Sequence, residues 1–184
     1  MSEYNVPFTD EDHRILSSCV TLVEGLADYL GGGYEIVLHS LEDVEHSVVK
    51  IINGHHTGRT TGAPITDLAL SMLSRIENEN RPGYISYFSR NKKGEPLKAA
   101  TIAIRGVGGR IIGLLCINFY LNTPLSHLLD SLCAPAQQSP AVTETFAENT
   151  RELVVQSVEQ ARAQVMADGS IQASLSVHSG GGSA

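Results

Sequence analysis

The chain has 184 residues, a formal net charge of -7, and a composition that is 42% apolar and 18% charged. This length suits one globular domain with an appendage, and the apolar fraction excludes a wholly disordered chain. The acidic charge and the lack of a basic stripe argue against direct nucleic-acid binding. The longest apolar run, 111–121, is too short to cross a bilayer, so we expect no membrane contact.

The first predicted element is an amphipathic helix over residues 9–30. Thr9 can cap it, three acidic residues follow, and apolar residues recur at helical spacing as far as Gly31. Two strands follow at 34–39 and 47–53, and their short acidic connection predicts an antiparallel hairpin. Because successive side chains in a strand alternate, Glu35, Val37 and His39 should share one face.

The second half of the predicted domain contains a helix and three more strands. The helix begins near Thr66 and ends before Pro82. The strands, predicted at 84–89, 97–105 and 110–120, should form an antiparallel meander. The last of them is almost wholly apolar, so we expect it in the centre of the sheet and covered on both faces. A short helix over 125–132 follows.

This element order predicts an α+β fold for residues 1–133. The economical arrangement is one five-stranded antiparallel sheet with helices packed against one face. That order resembles PAS and related sensor domains.

The composition changes after residue 133. Residues 134–142 are predicted to be a linker, and residues 143–168 a polar helix with a narrow apolar stripe. Such a stripe is typical of a helix that pairs with a partner helix, which would make the protein a homodimer, with the first helix as a second candidate contact. The alternative is that this helix folds back on its own sheet. Residues 169–184 are predicted to be a disordered tail or a cloning remnant.

The segment 53–64 is the strongest candidate for a binding loop. It is rich in Gly and Thr, contains Arg59, and leads to the helix start at Thr66 and Asp67. Backbone N–H groups, a guanidinium and a helix N-terminus together favour a small polar or anionic metabolite, such as an amino acid or a carboxylate. An ordinary surface loop is the alternative. Asn118, alone in an apolar strand, either braces a loop or contacts a ligand.

Metal binding and catalysis are less favoured by the sequence. His39, His46, His55 and His56 are close along the chain, but none has the helical spacing of a zinc site. We therefore predict no metal and no cofactor, and keep a histidine-based metal protein as the weakest alternative. The three cysteines lie in apolar segments and no nucleophile motif occurs, so the chain is not predicted to be an enzyme.

Five stretches of the sequence resemble the YheO-like PAS-domain proteins of bacteria, which are regarded as transcriptional regulators. They are Leu-His-Ser at 38–40, Asn-Gly-His at 53–55, Gly-Arg at 58–59, Thr-Asp-Leu-Ala at 66–69 and Cys-Ile-Asn at 116–118. The resemblance extends over residues 12–133 and implies a sensory domain, a connecting helix and a C-terminal helix-turn-helix that binds DNA. It assigns the matching positions to the candidate ligand site: His39, Ser40, Asn53, His55, Arg59, Thr66, Asp67 and Asn118.

The residues after 168 are too few for a helix-turn-helix. We therefore expect the sensor part of a cytoplasmic one-component regulator, with DNA bound only through a domain of the parent protein that is missing here. The main alternative is a scaffold or dimerisation domain with no ligand, whose pocket its own side chains would fill.

Overall fold

The computed structural model of the chain describes residues 5–78, 82–132 and 150–167. The chain divides into two compact units, residues 1–134 and 135–184. The first contains α1 (Asp10–Leu30), β1 (Tyr34–Ser40), β2 (Val48–Ile52), α2 (Asp67–Asn78), β3 (Tyr84–Arg90), β4 (Pro96–Arg105), β5 (Ile111–Tyr120) and α3 (Leu125–Leu132). The second contains α4 (Thr150–Ala167). The predicted linker 134–142, the predicted helix start 143–149 and the tail 169–184 lie outside the described residues.

The five strands form one antiparallel sheet in the order β2-β1-β5-β4-β3. This confirms the predicted fold class, with a hairpin of β1 and β2 and a meander of β3, β4 and β5. The apolar strand β5 lies in the centre, as its composition predicts. Its register places Cys116 opposite Val37 of β1 and opposite Thr101 of β4.

Helices cover both faces of the sheet, so the expectation that they pack against one face is wrong. Ile36 and Leu38 of β1 pack with buried residues of α1 such as Val23. Val37, whose side chain points to the opposite face, packs with residues of α2 such as Met72. The apolar stripes of α1 and α2 each need a partner surface, and β1 and β5 are apolar enough on both sides to provide two.

The N-terminus of α1 is fixed to the turn between β4 and β5. Thr9 and Asp12 form a reciprocal capping box, as the sequence predicts for Thr9. The Asp12 carboxylate is fully buried, accepts the N–H of Val107 at 2.9 Å and pairs with Arg110. Hydrogen bonds from Thr9, together with those from Val107 and Arg110, hold the pKa of Asp12 far below its usual value, although burial acts in the opposite direction.

None of the described helices is both long enough and apolar enough to cross a bilayer.

The helix cap yields a stability prediction. Thr9→Ala removes the side-chain acceptor for the Asp12 N–H and a donor to its carboxylate. We expect the free energy of unfolding, measured by urea denaturation, to fall by about 1 kcal/mol. Ser18→Ala is the matched control, because the exposed Ser18 hydroxyl donates to the Ile15 carbonyl within α1 and does not cap the helix. Equal effects of the two substitutions would contradict this role for Thr9.

Candidate functional site

The face of the sheet covered by α2, here called the inner face, carries an unusual set of polar side chains. Strand register places Glu35 opposite Asn118, and Ala99 opposite Asn118 and Tyr87, so these four positions share that face. The polar side chains of the inner face include Glu35, His39, Tyr87, Thr101, Cys116 and Asn118. We call this set the inner-face patch. The loop 53–66 leads from β2 to α2 and brings further polar groups to the patch.

Glu35 marks one end of the inner-face patch. Its side chain is buried, with 1% of the residue exposed. Thr57 of the loop donates its hydroxyl to Oε2 at 2.6 Å, and the Asn118 amide donates to Oε1 at 3.3 Å. Within the described ranges, Glu35 makes no ion pair. A buried carboxylate is costly without a cation, so this position is either strained or prepared for one.

The middle of the patch is a chain of weak hydrogen bonds. The Tyr87 hydroxyl lies 3.2 Å from the Thr101 hydroxyl, which lies 3.7 Å from the Cys116 sulfur. Burial raises the pKa of the Cys116 thiol to about 11, and it also raises the pKa of Tyr87. The charges of Arg59 and Glu35 act on the same thiol in opposite directions. Both charges therefore contribute to the electrostatic potential at Cys116.

His39 marks the other end of the patch, four residues and about 13 Å along β1 from Glu35. The Ser47 hydroxyl donates its one hydrogen to the Ser40 carbonyl at 2.7 Å. It must therefore accept from Nδ1 of His39, 3.1 Å away, which leaves Nε2 as an acceptor. Burial, aided by the positive charge of Arg59, lowers the pKa of His39 to about 3. The imidazole is thus neutral at physiological pH.

Arg59 brings a positive charge to the inner face from the loop. Its guanidinium donates to the carbonyl oxygen of Pro64, which closes the loop on itself just before α2. Arg59 is half-buried and makes no ion pair within the part of the chain that the structure describes. Its charge acts on both His39 and Cys116. The guanidinium therefore adds a positive potential at His39 and at Cys116 in the middle of the patch.

The structure places three of the eight predicted site residues on or beside the inner face: His39 at one end, Asn118 at the other, and Arg59 on the loop whose charge acts on His39. Ser40 lies on the opposite face and accepts the N–H of Glu42 at 3.1 Å. Asn53 braces the chain, because its amide donates to the carbonyl of Tyr34 at 2.7 Å. Thr66 accepts the N–H of Ala69 in the first turn of α2, and Asp67 is exposed beside it. His55 is exposed and lines a different cavity.

Sequence reasoning missed three residues that the fold makes important: Glu35, Ser47 and Thr101. The alternation of β1 places Glu35 on the face of His39, and this is the signal that could have found it. Ser47 and Thr101 carry no comparable signal, because their roles depend on partners in other strands. Among the described residues, no group of three or more His, Cys, Asp or Glu side chains is close enough to hold a metal ion.

A five-stranded antiparallel sheet in the order β2-β1-β5-β4-β3, flanked by helices, is typical of a PAS domain. The sequence comparison agrees, since the family described as YheO-like PAS domain matches residues 9–134. The chain belongs to the YheO-like PAS-domain family.

Relatives that are 43% identical to this chain occur in several bacteria. The chain is 43% identical over 164 residues to an uncharacterized protein of Haemophilus influenzae, a match that covers 88% of this chain and 72% of that protein. It is also 43% identical over 162 residues to the uncharacterized protein YheO of Escherichia coli, with 88% and 68% covered. Among solved structures, the PAS domain of a protein from Colwellia psychrerythraea superimposes with a TM-score of 0.40 and 19% identity. That match covers 60% of this chain and 99% of that one.

The buried histidine yields a prediction for the pH dependence of stability. Because the pKa of His39 is lowered to about 3 in the folded protein, the unfolded chain binds more protons below pH 6.5. The free energy of unfolding should therefore lose up to about 1.4 kcal/mol per pH unit from this residue as the pH falls from 6.5 towards 4. Above pH 6.5 His39 should contribute no pH dependence.

The test compares wild type with His39→Asn, which keeps a donor for Ser47 but cannot be protonated. Urea denaturation at several pH values should show a shallower acid slope for the variant. His46→Asn is the control, because His46 is exposed and bonds Asp43 at the surface. If His39→Asn retains the wild-type slope, His39 is not held neutral by the fold.

Proposed function

We propose that the chain is a ligand-sensing, dimerising domain of a bacterial one-component transcriptional regulator. In this proposal the inner-face patch and the loop 53–66 bind a small polar metabolite. In this proposal the described residues sense the ligand and do not themselves bind DNA. The protein acts in the cytoplasm as a sensor rather than as an enzyme.

The observation that carries this proposal is the pair of unpaired charges at the patch. Glu35 presents a buried carboxylate and Arg59 a half-buried guanidinium. Neither makes an ion pair in the regions described by the structure, and the charges of both act on the Cys116 thiol. Opposite charges presented separately on one surface complement a ligand that itself carries both charges.

An amino acid is the simplest such ligand. Its ammonium group would bond the Glu35 carboxylate, and its carboxylate would bind the guanidinium fork of Arg59. Nε2 of His39, as an acceptor, and the amide of Asn118 would then orient the ligand side chain. A simple carboxylate would satisfy Arg59 but would leave Glu35 without a cation.

The contact between Arg59 and Pro64 supports a mechanism for signalling. A ligand carboxylate would compete with the Pro64 carbonyl for the guanidinium. Pro64 lies three residues before α2. Loss of its contact with Arg59 would therefore change the conformation of the loop where it joins the helix. A ligand shifts the populations of two conformations only through its different affinity for them, and the change of partner at Arg59 provides such a difference.

The ligand proposal predicts matched effects of two charge-removing substitutions. We expect an amino acid from a thermal-shift screen to stabilise wild type by about 2.7 kcal/mol at 100 times its Kd. The corresponding amine and the corresponding carboxylic acid, each lacking one charge, should stabilise it less. Arg59→Gln and Glu35→Gln should both abolish the amino-acid effect.

Arg105→Gln is the matched control for Arg59. Arg105 is exposed and likewise donates to a backbone carbonyl, that of Gly109, at 2.7 Å. It should retain the wild-type response. If no amino acid or small carboxylate stabilises wild type at millimolar concentration, the scaffold alternative is favoured instead.

Helix α4 supports the dimer part of the proposal. Its large exposed apolar side chains are Val154, Val155, Val158, Val165 and Met166. With 100° between residues, these side chains occupy roughly one third of the helix circumference. A stripe of this width on a polar helix favours pairing with the same helix of a second copy.

We expect Val158→Glu combined with Val165→Glu to convert a dimer into a monomer in sedimentation-velocity experiments, because four buried carboxylates cannot be accommodated in such an interface. Gln164→Glu is the control, since Gln164 lies about 120° around the helix from Val158. A dimer that survives the double substitution would assign the interface to another surface, such as α1.

A further inference from the structure

A cavity of about 490 Å³ lies outside the inner-face patch, and nothing in the proposed function uses it. The turn between α1 and β1, the loop after β2, the end of β5 and the start of α3 border this cavity. We call it the outer cavity. The lining side chains that matter here are His55, His56, Glu95, Tyr120, His127 and Asp130. Its volume lies in the range of sites for small molecules.

One wall of the outer cavity is a stack of three rings. The ring centroids of His56 and Tyr120 are 4.1 Å apart with an interplanar angle of 11°, and those of His55 and His56 are 4.3 Å apart. Nε2 of His56 donates to the Gly32 carbonyl at 2.9 Å, which fixes this ring in place. The exposed ring of His55 ends the stack and offers a flat surface to a planar group.

Tyr120, the most buried ring of this stack, carries an unsatisfied polar atom. Only 1% of the residue is exposed, and its hydroxyl has no hydrogen-bond partner of normal geometry within the described residues, although Asn91 lies nearby. Burial raises the pKa of Tyr120 to about 12, and the negative charges of Glu35 and Glu95 add to this effect. The hydroxyl therefore stays protonated, lies in a negative potential, and lacks a partner that a ligand could supply.

The charges around the outer cavity favour a cation. Hydrogen bonds from Asn91 and Asn122 lower the pKa of Glu95, so this carboxylate is ionised at neutral pH. Asp130 adds a second carboxylate. The opposing charges are Lys93, whose ammonium bonds the His56 carbonyl, and roughly half a positive charge at the amino end of α3. When the imidazoles are neutral, the two negative charges of Glu95 and Asp130 exceed these positive charges. The net charge around the outer cavity is then negative.

We propose that the outer cavity is a second binding site, and that it takes a small organic cation composed of an amine and a planar group. The planar group stacks on the histidine rings, Glu95 and Asp130 hold the ammonium, and the Tyr120 hydroxyl receives the hydrogen-bond partner that it lacks. This site shares no side chain with the proposed amino-acid site, and in particular it does not involve Arg59.

The test uses three probes of the same shape and different charge: benzylamine, benzyl alcohol and benzoate. Each is titrated into the full chain at about pH 8 with EDTA present, up to roughly 10 mM, since millimolar affinity is expected of so small a ligand. Binding is read from the NMR signals of the histidine rings. Benzylamine should shift the signals of His55, His56 and His127, and the other two probes should bind at least fivefold more weakly.

Two substitutions separate a binding role from a structural one. Glu95→Gln should weaken benzylamine binding about fivefold or more, whereas Glu77→Gln, at an exposed acid of α2, should leave it unchanged. Tyr120→Phe keeps the ring stack and removes the unpartnered hydroxyl. It should weaken binding about fivefold while the melting temperature stays the same or rises, because the buried hydroxyl is unsatisfied without ligand.

Arg59→Gln should bind benzylamine like wild type, although it should abolish the amino-acid effect. The two proposals can therefore fail separately, and the experiment shows which one has failed. The proposal is overturned if benzylamine produces no saturable shifts, or if benzoate or benzyl alcohol binds as tightly. It is equally overturned if both Glu95→Gln and Tyr120→Phe retain wild-type affinity.

Discussion

Strands β1 and β5 are covered on both faces, and this constraint shapes the rest of the domain. A strand with one exposed face can turn its polar side chains towards water, but these two strands cannot. A buried polar residue on them therefore needs a partner inside the protein, and among the described residues the Tyr120 hydroxyl of β5 is left without one. Glu35, His39 and Asn118 find partners on the inner face, with Thr57 and Ser47 supplying two of the contacts from outside these strands.

The loop 53–66 is held in place by the groups that it satisfies. Asn53 adopts a left-handed conformation, with φ of 57°, and its amide ties the loop to the end of α1 and the start of β1. A Cβ atom at Gly54 would lie 2.5 Å from the Arg59 carbonyl oxygen, so only glycine permits this close approach. These contacts position Thr57 over Glu35 and direct Arg59 to the inner face. Residues that the sequence indicated as ligand contacts thus include some that build the loop.

The fold could be predicted from the sequence because local patterns specify it. Alternation and helical periodicity indicated each strand and helix, and the apolar run of β5 predicted its central position. The candidate site was only partly predictable. His39 and Asn118 stand out as polar residues within apolar strands, but whether Asn53 braces a backbone or contacts a ligand depends on the Tyr34 carbonyl, nineteen residues away in the chain. Such long-range partners leave no local trace.

Tyr120 connects the two proposed sites physically. The charges of Glu35 in the inner-face patch and Glu95 in the outer cavity both act on its hydroxyl, so the two carboxylates influence a common region. An ammonium group bound at either carboxylate would make that region less negative and would weaken the attraction of a second ammonium at the other. Because such coupling is reciprocal, each ligand would reduce the affinity of the other by the same factor. A domain built this way would respond to the balance of two metabolites rather than to either one alone.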